Sequence, residues 1–251
     1  DDPGNAERRS LVKGKIHSSI AQLYERPRVW LEGYHSSGWG VTPEQLVAFT
    51  NENFAFGYNL LDLHGLYYTT YGGWWEWAPP DFHFRQPYWE HMEVFNTYIQ
   101  RLSSIMCQGK HYCDVAILYP TSTVQAGMFA QEAEETMETI AAYLFEEVID
   151  FDFIDDQSIT RASLEEGKLC VAGSAYQALI LPMTSAIRYE TLQKLKQFQL
   201  SGGVVVAMGC VPTADDVRGR SHPGLREDVE TMFFSSKPNG FLIENPFDVS
   251  F

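Results

Sequence analysis

The 251-residue sequence has no uninterrupted apolar run of about 18 residues, so it offers no membrane-spanning helix. It has few basic residues: 18 Lys and Arg stand against 33 Asp and Glu, a net charge of −15. A surface this acidic argues against nucleic acid and against anionic membranes as partners. No GxGxxG or GxxxxGK[ST] follows a strand-like segment, and no nucleophile elbow is present, so a nucleotide or flavin role has no signature. The cysteines are only four, Cys107, Cys113, Cys170 and Cys210. None forms a CxxC pair and no His stands at the usual zinc spacing from them, so they read as buried or free thiols. Internal repeats and low-complexity segments are missing too.

What is present is a globular composition, 45% apolar and 14% aromatic. The chain opens on Asp1 instead of Met and ends on Asp-Val-Ser-Phe251, which suggests a piece of a longer protein. A lost signal peptide, with a bacterial periplasmic or extracellular location, stays open.

Val12, Ile16, Ile20 and Leu23 recur at helical spacing, and Glu25-Arg26-Pro27 breaks the pattern. Arg28–Glu32 then reads as a strand. Thr42-Pro43-Glu44-Gln45 is a helix start: Thr42 caps, Pro43 suits the first position and Gln45 completes a capping box. Gly57 is placed to end that helix. Tyr58–His64 reads as a second strand. From Pro87 a further helix carries Trp89, Met92, Phe95, Ile99, Leu102 and Met106 on one face. Helix, strand, helix, strand, helix predicts parallel α/β structure. Trp30 and Glu32 share one strand face, as do Leu60, Asp62 and His64. Polar groups alternating on doubly covered strands suit a barrel interior.

A second block begins near Asp114. Val115–Tyr119, Asp150–Asp155, Ala178–Pro182 and Val204–Ala207 read as strands. Helices are expected over 128–148 and 189–200, the latter closed by Ser201-Gly202-Gly203, and a hairpin arm over 167–173. This order predicts a flavodoxin-like, Rossmann-like three-layer domain with a structural role. The fold class expected is therefore α/β: the last strands of a (β/α)8 TIM-type barrel (1–112), the flavodoxin-like domain (113–213), and an irregular tail (214–251) containing one helix at 225–233.

The chemistry concentrates at the ends of the first two strands. A carboxylate at the carboxyl end of a barrel strand faces the active site, which points to Glu32 as base, nucleophile or metal ligand; the alternative is a salt bridge to Arg26 or Arg28. His64 ends the next strand, with His35 and Trp39 close to Glu32 in sequence. Between Tyr67 and Trp77 lies a Gly-containing loop with Tyr67, Trp74 and Trp75 among its rings. Aromatic rings stack on the C–H faces of sugars, so a carbohydrate platform competes with core packing here. Glycoside hydrolysis needs two carboxyl groups. Glu32 is the strong candidate; Glu76, Asp62 and Asp81 are weaker, Asp62 being expected inside the barrel. The acid partner is accordingly expected on an earlier strand, upstream of residue 1.

Several stretches resemble the α-L-rhamnosidase family of glycoside hydrolases, family 106. They are Lys15-Ile-His-Ser-Ser-Ile-Ala-Gln-Leu-Tyr24, Arg26-Pro-Arg-Val-Trp-Leu-Glu32, Gly38-Trp39, Thr42-Pro43, Gly57-Tyr-Asn, Leu63-His64-Gly65, Asp114-Val-Ala-Ile-Leu-Tyr-Pro120, and Gly209–Arg220 with Pro212-Thr213. The resemblance implies hydrolysis of terminal α-L-rhamnosides with inversion, Glu32 as general base and His64 on sugar hydroxyls. It also implies calcium dependence in some members, with no ligands that can be placed on named residues, and a glycoside or oligosaccharide as substrate. The second domain resembles the one that follows the barrel in this family and in family 42 β-galactosidases. Gly33 stands where the family usually has Ala, and the Tyr34-His-Ser-Ser and Trp-rich loops depart from its pattern; both bear on sugar specificity. Two other readings remain: a retaining β-galactosidase-like enzyme and a non-catalytic carbohydrate-binding module.

Overall fold

The computed structural model describes residues 3–69, 71, 78–235 and 240–245. It divides into two compact units, residues 26–109 and residues 1–25 with 110–251.

The first helix, α1 (Pro3–Leu23), belongs to the second unit, where it packs on a strand and a helix from the later part of the chain. It was expected to go with the barrel block. Its buried stripe matches the expected apolar one only in part. Leu11, Val12, Lys15, Ser19 and Leu23 are buried, whereas Ile20 is half exposed. Two polar residues sit in the stripe because the surface they meet is polar: Lys15 Nζ bonds Asp150 at 2.7 Å and Ser19 Oγ bonds Asp152 at 3.1 Å.

In the 26–109 unit, β1 (Trp30–Gly33) pairs in parallel with β2 (Leu60–Leu63), Glu32 opposite Asp62. Between them runs α2 (Pro43–Ala55), and α3 (Met92–Met106) follows a short 3-10 turn at Trp89–His91. Both halves of the predicted capping box form: Gln45 N donates to Thr42 Oγ1 and Thr42 N to Gln45 Oε1. Thr42→Ala should therefore destabilise this unit by about 1 kcal/mol, read by urea unfolding. Gly57 ends the helix at φ +101°. One face of the strand pair is covered: Leu61 and Leu63 pack on a core of Leu46, Phe82, Met92 and Phe95. The other face carries Trp30, Glu32, Leu60 and Asp62, all exposed. Side chains alternate across a strand, so helices on one side leave the polar set on the other. A cavity of about 450 Å³ is lined by residues of β2 and α3, Leu60, Leu61, Leu63, Phe95 and Ile99 among them.

The second unit is built on β3 (Val115–Leu118), β4 (Phe151–Ile154), and three later strands of the same parallel sheet. Helices α4 (Thr121–Ala126) and α5 (Ala130–Glu146) connect β3 to β4, and α6 (Asp156–Arg161) follows. The expected hairpin arm is a three-stranded antiparallel sheet, β5 (Ser163–Glu165), β6 (Lys168–Val171) and β7 (Ser174–Tyr176). Then come β8 (Ala178–Pro182), β9 (Ala186–Ile187), α7 (Tyr189–Leu200), β10 (Val204–Met208) and β11 (Ala214–Asp215). The stretch from 214, expected to be irregular beyond one helix, adds both α8 (Leu225–Phe233) and an edge strand, β12 (Gly240–Ile243). The main sheet runs β12-β10-β8-β3-β4, all parallel. Its continuous apolar strands fit a sheet covered on both faces. Ala116, Ile117, Leu179, Leu181, Val205 and Ala207 are completely buried.

Candidate active site

Glu32 is the penultimate residue of β1 and stands on the helix-free face. His64 directly follows β2 and projects to the same side, its Nδ1 at 2.9 Å from Glu32 Oε1. Parallel pairing produces this contact: with Glu32 in register with Asp62, the next residue on that face of the neighbouring strand is His64. The Glu32 side chain remains 54% exposed and His64 24%, so the carboxylate can meet a solute. A carboxylate on Nδ1 favours the tautomer that donates from Nδ1. The His64 Nε2 atom is shielded from solvent and has no hydrogen-bond partner among the described residues. Neither Arg26 nor Arg28 pairs with Glu32 among the described ion pairs; Arg28 bonds Ser103 and Asn59 instead.

His35 joins this pair. Its ring lies 4.8 Å from that of His64, tilted by 59°, and Ser36 Oγ is 3.0 Å from its Nδ1. Trp39, in the loop after β1, meets Tyr67, in the loop after β2, edge to face at 6.4 Å. Gly38 N donates to Pro79 O and ties the two loops together, while Phe82 N donates to Gly65 O within the second. Trp74, Trp75 and Glu76 lie outside the described residues. Tyr34, between Glu32 and His35, is a packing residue: its ring contacts Phe82 and Phe95 edge-on, its hydroxyl meets Thr50, and burial pushes its phenol up to about 12 against the lowering effect of Thr50.

The weaker carboxylates separate clearly. Asp81 is completely buried, paired with Arg85 and accepting from Tyr67 N, so it holds the loop and meets no substrate. Asp62 was expected inside a closed barrel and is exposed here, one strand from Glu32 in the same layer. Neighbouring strands are about 4.8 Å apart. That spacing is short of the roughly 6.5–9.5 Å between the carboxyls of an inverting enzyme, and close to the roughly 5–5.5 Å of a retaining one.

Calcium takes six to eight oxygen ligands. The group of close potential ligands found among the described residues is His111, Cys113 and Asp152, in the other unit. Its nitrogen and sulfur do not suit calcium. None of the four cysteines forms a disulfide.

Comparison with known proteins adds a lineage to this geometry. A profile of the alpha-L-rhamnosidase family matches residues 2–236. The rhamnosidase of Novosphingobium sp. PP1Y superposes with a TM-score of 0.66 at 18% identity, over 91% of this chain and 22% of that one. A family 42 β-galactosidase of G. stearothermophilus gives 0.65 at 17% identity, over 93% of this chain and 34% of that one. A protein of Formosa agariphila, provisionally named as a β-glucuronidase, is 25% identical over 202 residues, 76% of this chain and 16% of its own length. At such identities the solved structures speak for the fold alone: α/β, with glycosidases containing TIM barrels as neighbours. The chain spans between a sixth and a third of the length of these relatives.

Proposed function

The chain belongs to the α-L-rhamnosidase family of glycoside hydrolases, and from that premise we propose that it supplies two barrel strands of an enzyme that cleaves terminal α-L-rhamnosyl or related O-glycosidic bonds. Glu32 is the general base of an inverting mechanism. His64 fixes one carboxylate oxygen and leaves the other to take a proton from the attacking water. The observation that carries this reading is an exposed carboxylate at the carboxyl end of a parallel strand, on the helix-free face, held at 2.9 Å by a histidine from the adjacent strand. His35 binds sugar hydroxyls, and Trp39 and Tyr67 form the apolar wall on which the ring stacks.

The general acid is proposed to lie on a barrel strand outside this chain, since among the described candidates Asp81 is buried in an ion pair and Asp62 stands closer to Glu32 than inversion requires. Two strands do not close a barrel. The purified 251-residue chain is therefore expected to show no hydrolysis of an aryl α-L-rhamnoside, and measurable turnover by it would refute the need for an outside acid. In the full-length protein, NMR of the first product should show the inverted anomer, because carboxyls about 6.5–9.5 Å apart admit a water between base and sugar. A retained anomer would favour the β-galactosidase-like reading, which the likeness to family 42 supports. Sugar binding by the full-length protein without turnover of any glycoside would favour a binding module.

The second unit is proposed as a flavodoxin-like accessory domain with a structural role. Counting β3 as its first strand, the sheet reads 2-1-3-4-5, the order that supports this assignment. The substrate is a carbohydrate; among the described residues no helix is long and apolar enough to cross a membrane.

A further inference from the structure

The segment that enters β3 carries His111 and Cys113 two residues apart, and β4 lies beside β3. Three side chains converge there. His111 Nε2 is 3.2 Å from Asp152 Oδ2, and Cys113 Sγ is 3.3 Å from the same oxygen. The potential ligand atoms of all three residues lie within 4.8 Å of one another. Cys113 and Asp152 are buried, 5% and 1% exposed. His111 Nε2 is also shut off from solvent, yet it makes no hydrogen bond: Asp152 is close enough but out of line. This buried ring nitrogen therefore stands within reach of a thiol and a carboxylate, with no aligned partner among the described residues.

The spacing suits one kind of atom. With zinc bond lengths of about 2.0–2.2 Å to nitrogen and oxygen and about 2.3 Å to sulfur, a tetrahedron has N···O and S···O edges of about 3.4 and 3.6 Å. The observed 3.2 and 3.3 Å are shorter by only a few tenths of an ångström.

The surroundings also match. A ligating histidine commonly turns its other nitrogen to a carboxylate, and His111 Nδ1 faces Asp150 Oδ2 at 3.8 Å. A ligating carboxylate is commonly held by further donors. Asp152 takes Tyr176 Oη on Oδ2 at 2.8 Å and Ser19 Oγ on Oδ1 at 3.1 Å. Charge balances as well: a thiolate and a carboxylate neutralise a divalent ion, while Asp150 is already paired with Lys15 at 2.7 Å. The His111 side chain, 29% exposed, gives the ion a way in.

We propose that His111 Nε2, Cys113 Sγ and Asp152 Oδ2 form a zinc site that fastens the segment entering β3 to β4, with water or another small ligand in the fourth position. Imidazole, thiolate and carboxylate together select zinc over magnesium or calcium. Nothing in this inference depends on the glycosidase reading, and the site lies in the unit that does not hold Glu32.

Cobalt(II) titration of the 251-residue chain, followed by its absorption spectrum, is the test. The expected result is one equivalent bound, with a thiolate-to-cobalt charge-transfer band and the visible bands of a tetrahedral ion, all displaced by zinc. The variant that keeps Cys113 as its sole cysteine (C107S, C170S, C210S) should retain that band, and C113S should lose it. H111Q should weaken zinc binding about 100-fold or more, since even outer partners of a ligand are worth 10–100-fold. Zinc should raise the thermal midpoint of the wild-type chain and leave that of C113S unchanged. No charge-transfer band in the wild-type chain, or zinc held equally well by C113S, would overturn the site. Should C113S fail to fold, the wild-type spectrum and H111Q decide the matter.

Discussion

Glu32→Gln in the full-length protein is expected to lower kcat by about 10²–10⁴-fold, the usual worth of a positioned general base. KM should change little, because glutamine keeps an oxygen that can accept from His64 Nδ1, where Glu32 Oε1 accepts at 2.9 Å. The loss falls on the proton transfer alone: an amide cannot take a proton from water. The far-UV circular dichroism and the unfolding midpoint should match wild type, since the residue is exposed and contributes to no core. His64→Gln makes a useful partner experiment. It leaves the base in place but frees its orientation, so kcat should fall by less than in Glu32→Gln. If both losses reflect one unit, the double variant should be no slower than Glu32→Gln alone. Near-normal turnover in Glu32→Gln would remove this carboxylate from the mechanism.

The parts of this site that were legible in the sequence are those decided locally. Thr42, Pro43 and Gln45 specify the start of α2 by bonds spanning three residues, and both bonds form. Glu32 and His64 could be assigned to strand ends because apolar alternation stops at each of them. Their pairing was less accessible, because it depends on the β1–β2 register, which hydrophobic pattern alone does not state for four-residue strands. Three features escaped for a common physical reason. The buried stripe of α1 uses Lys15 and Ser19, which pattern reading assigns to solvent, because its counter-surface is Asp150 and Asp152. The His111–Cys113–Asp152 cluster joins residues 39 positions apart in sequence through neighbouring strands. And β12, only four residues long and half exposed, owes its place to pairing with β10 instead of to any strong pattern of its own.

Gly203→Ala should be the most damaging single-methyl change in the second unit, costing about 3 kcal/mol, near the top of the range for an overpacked core. The Ser201-Gly202-Gly203 stretch reads as a helix stop, and a stop alone would explain only Gly202. That residue sits at φ +109°, where an alanine costs about 1–2 kcal/mol. Its N–H bonds Gln199 O at 3.1 Å and the Gly203 N–H bonds Phe198 O at 3.0 Å, the crossed pair of a Schellman ending. Such endings usually place an apolar side chain after the αL residue, against the last turn of the helix. Here the side chain comes from the helix. Phe198 folds over Gly203, and a Cβ on Gly203 would fall 2.0–2.4 Å from three of its ring carbons. Phe198 is itself completely buried among the core residues beneath α7 and β10. The ring cannot swing aside into solvent, and moving Gly203 instead would drag Val204, whose N–H bonds Gln177 O as β10 begins. Urea unfolding of the two variants should rank Gly203→Ala below Gly202→Ala in midpoint, with m unchanged in both. The reverse order would mean that backbone angle, and not the ring of Phe198, is what requires glycine at the end of α7.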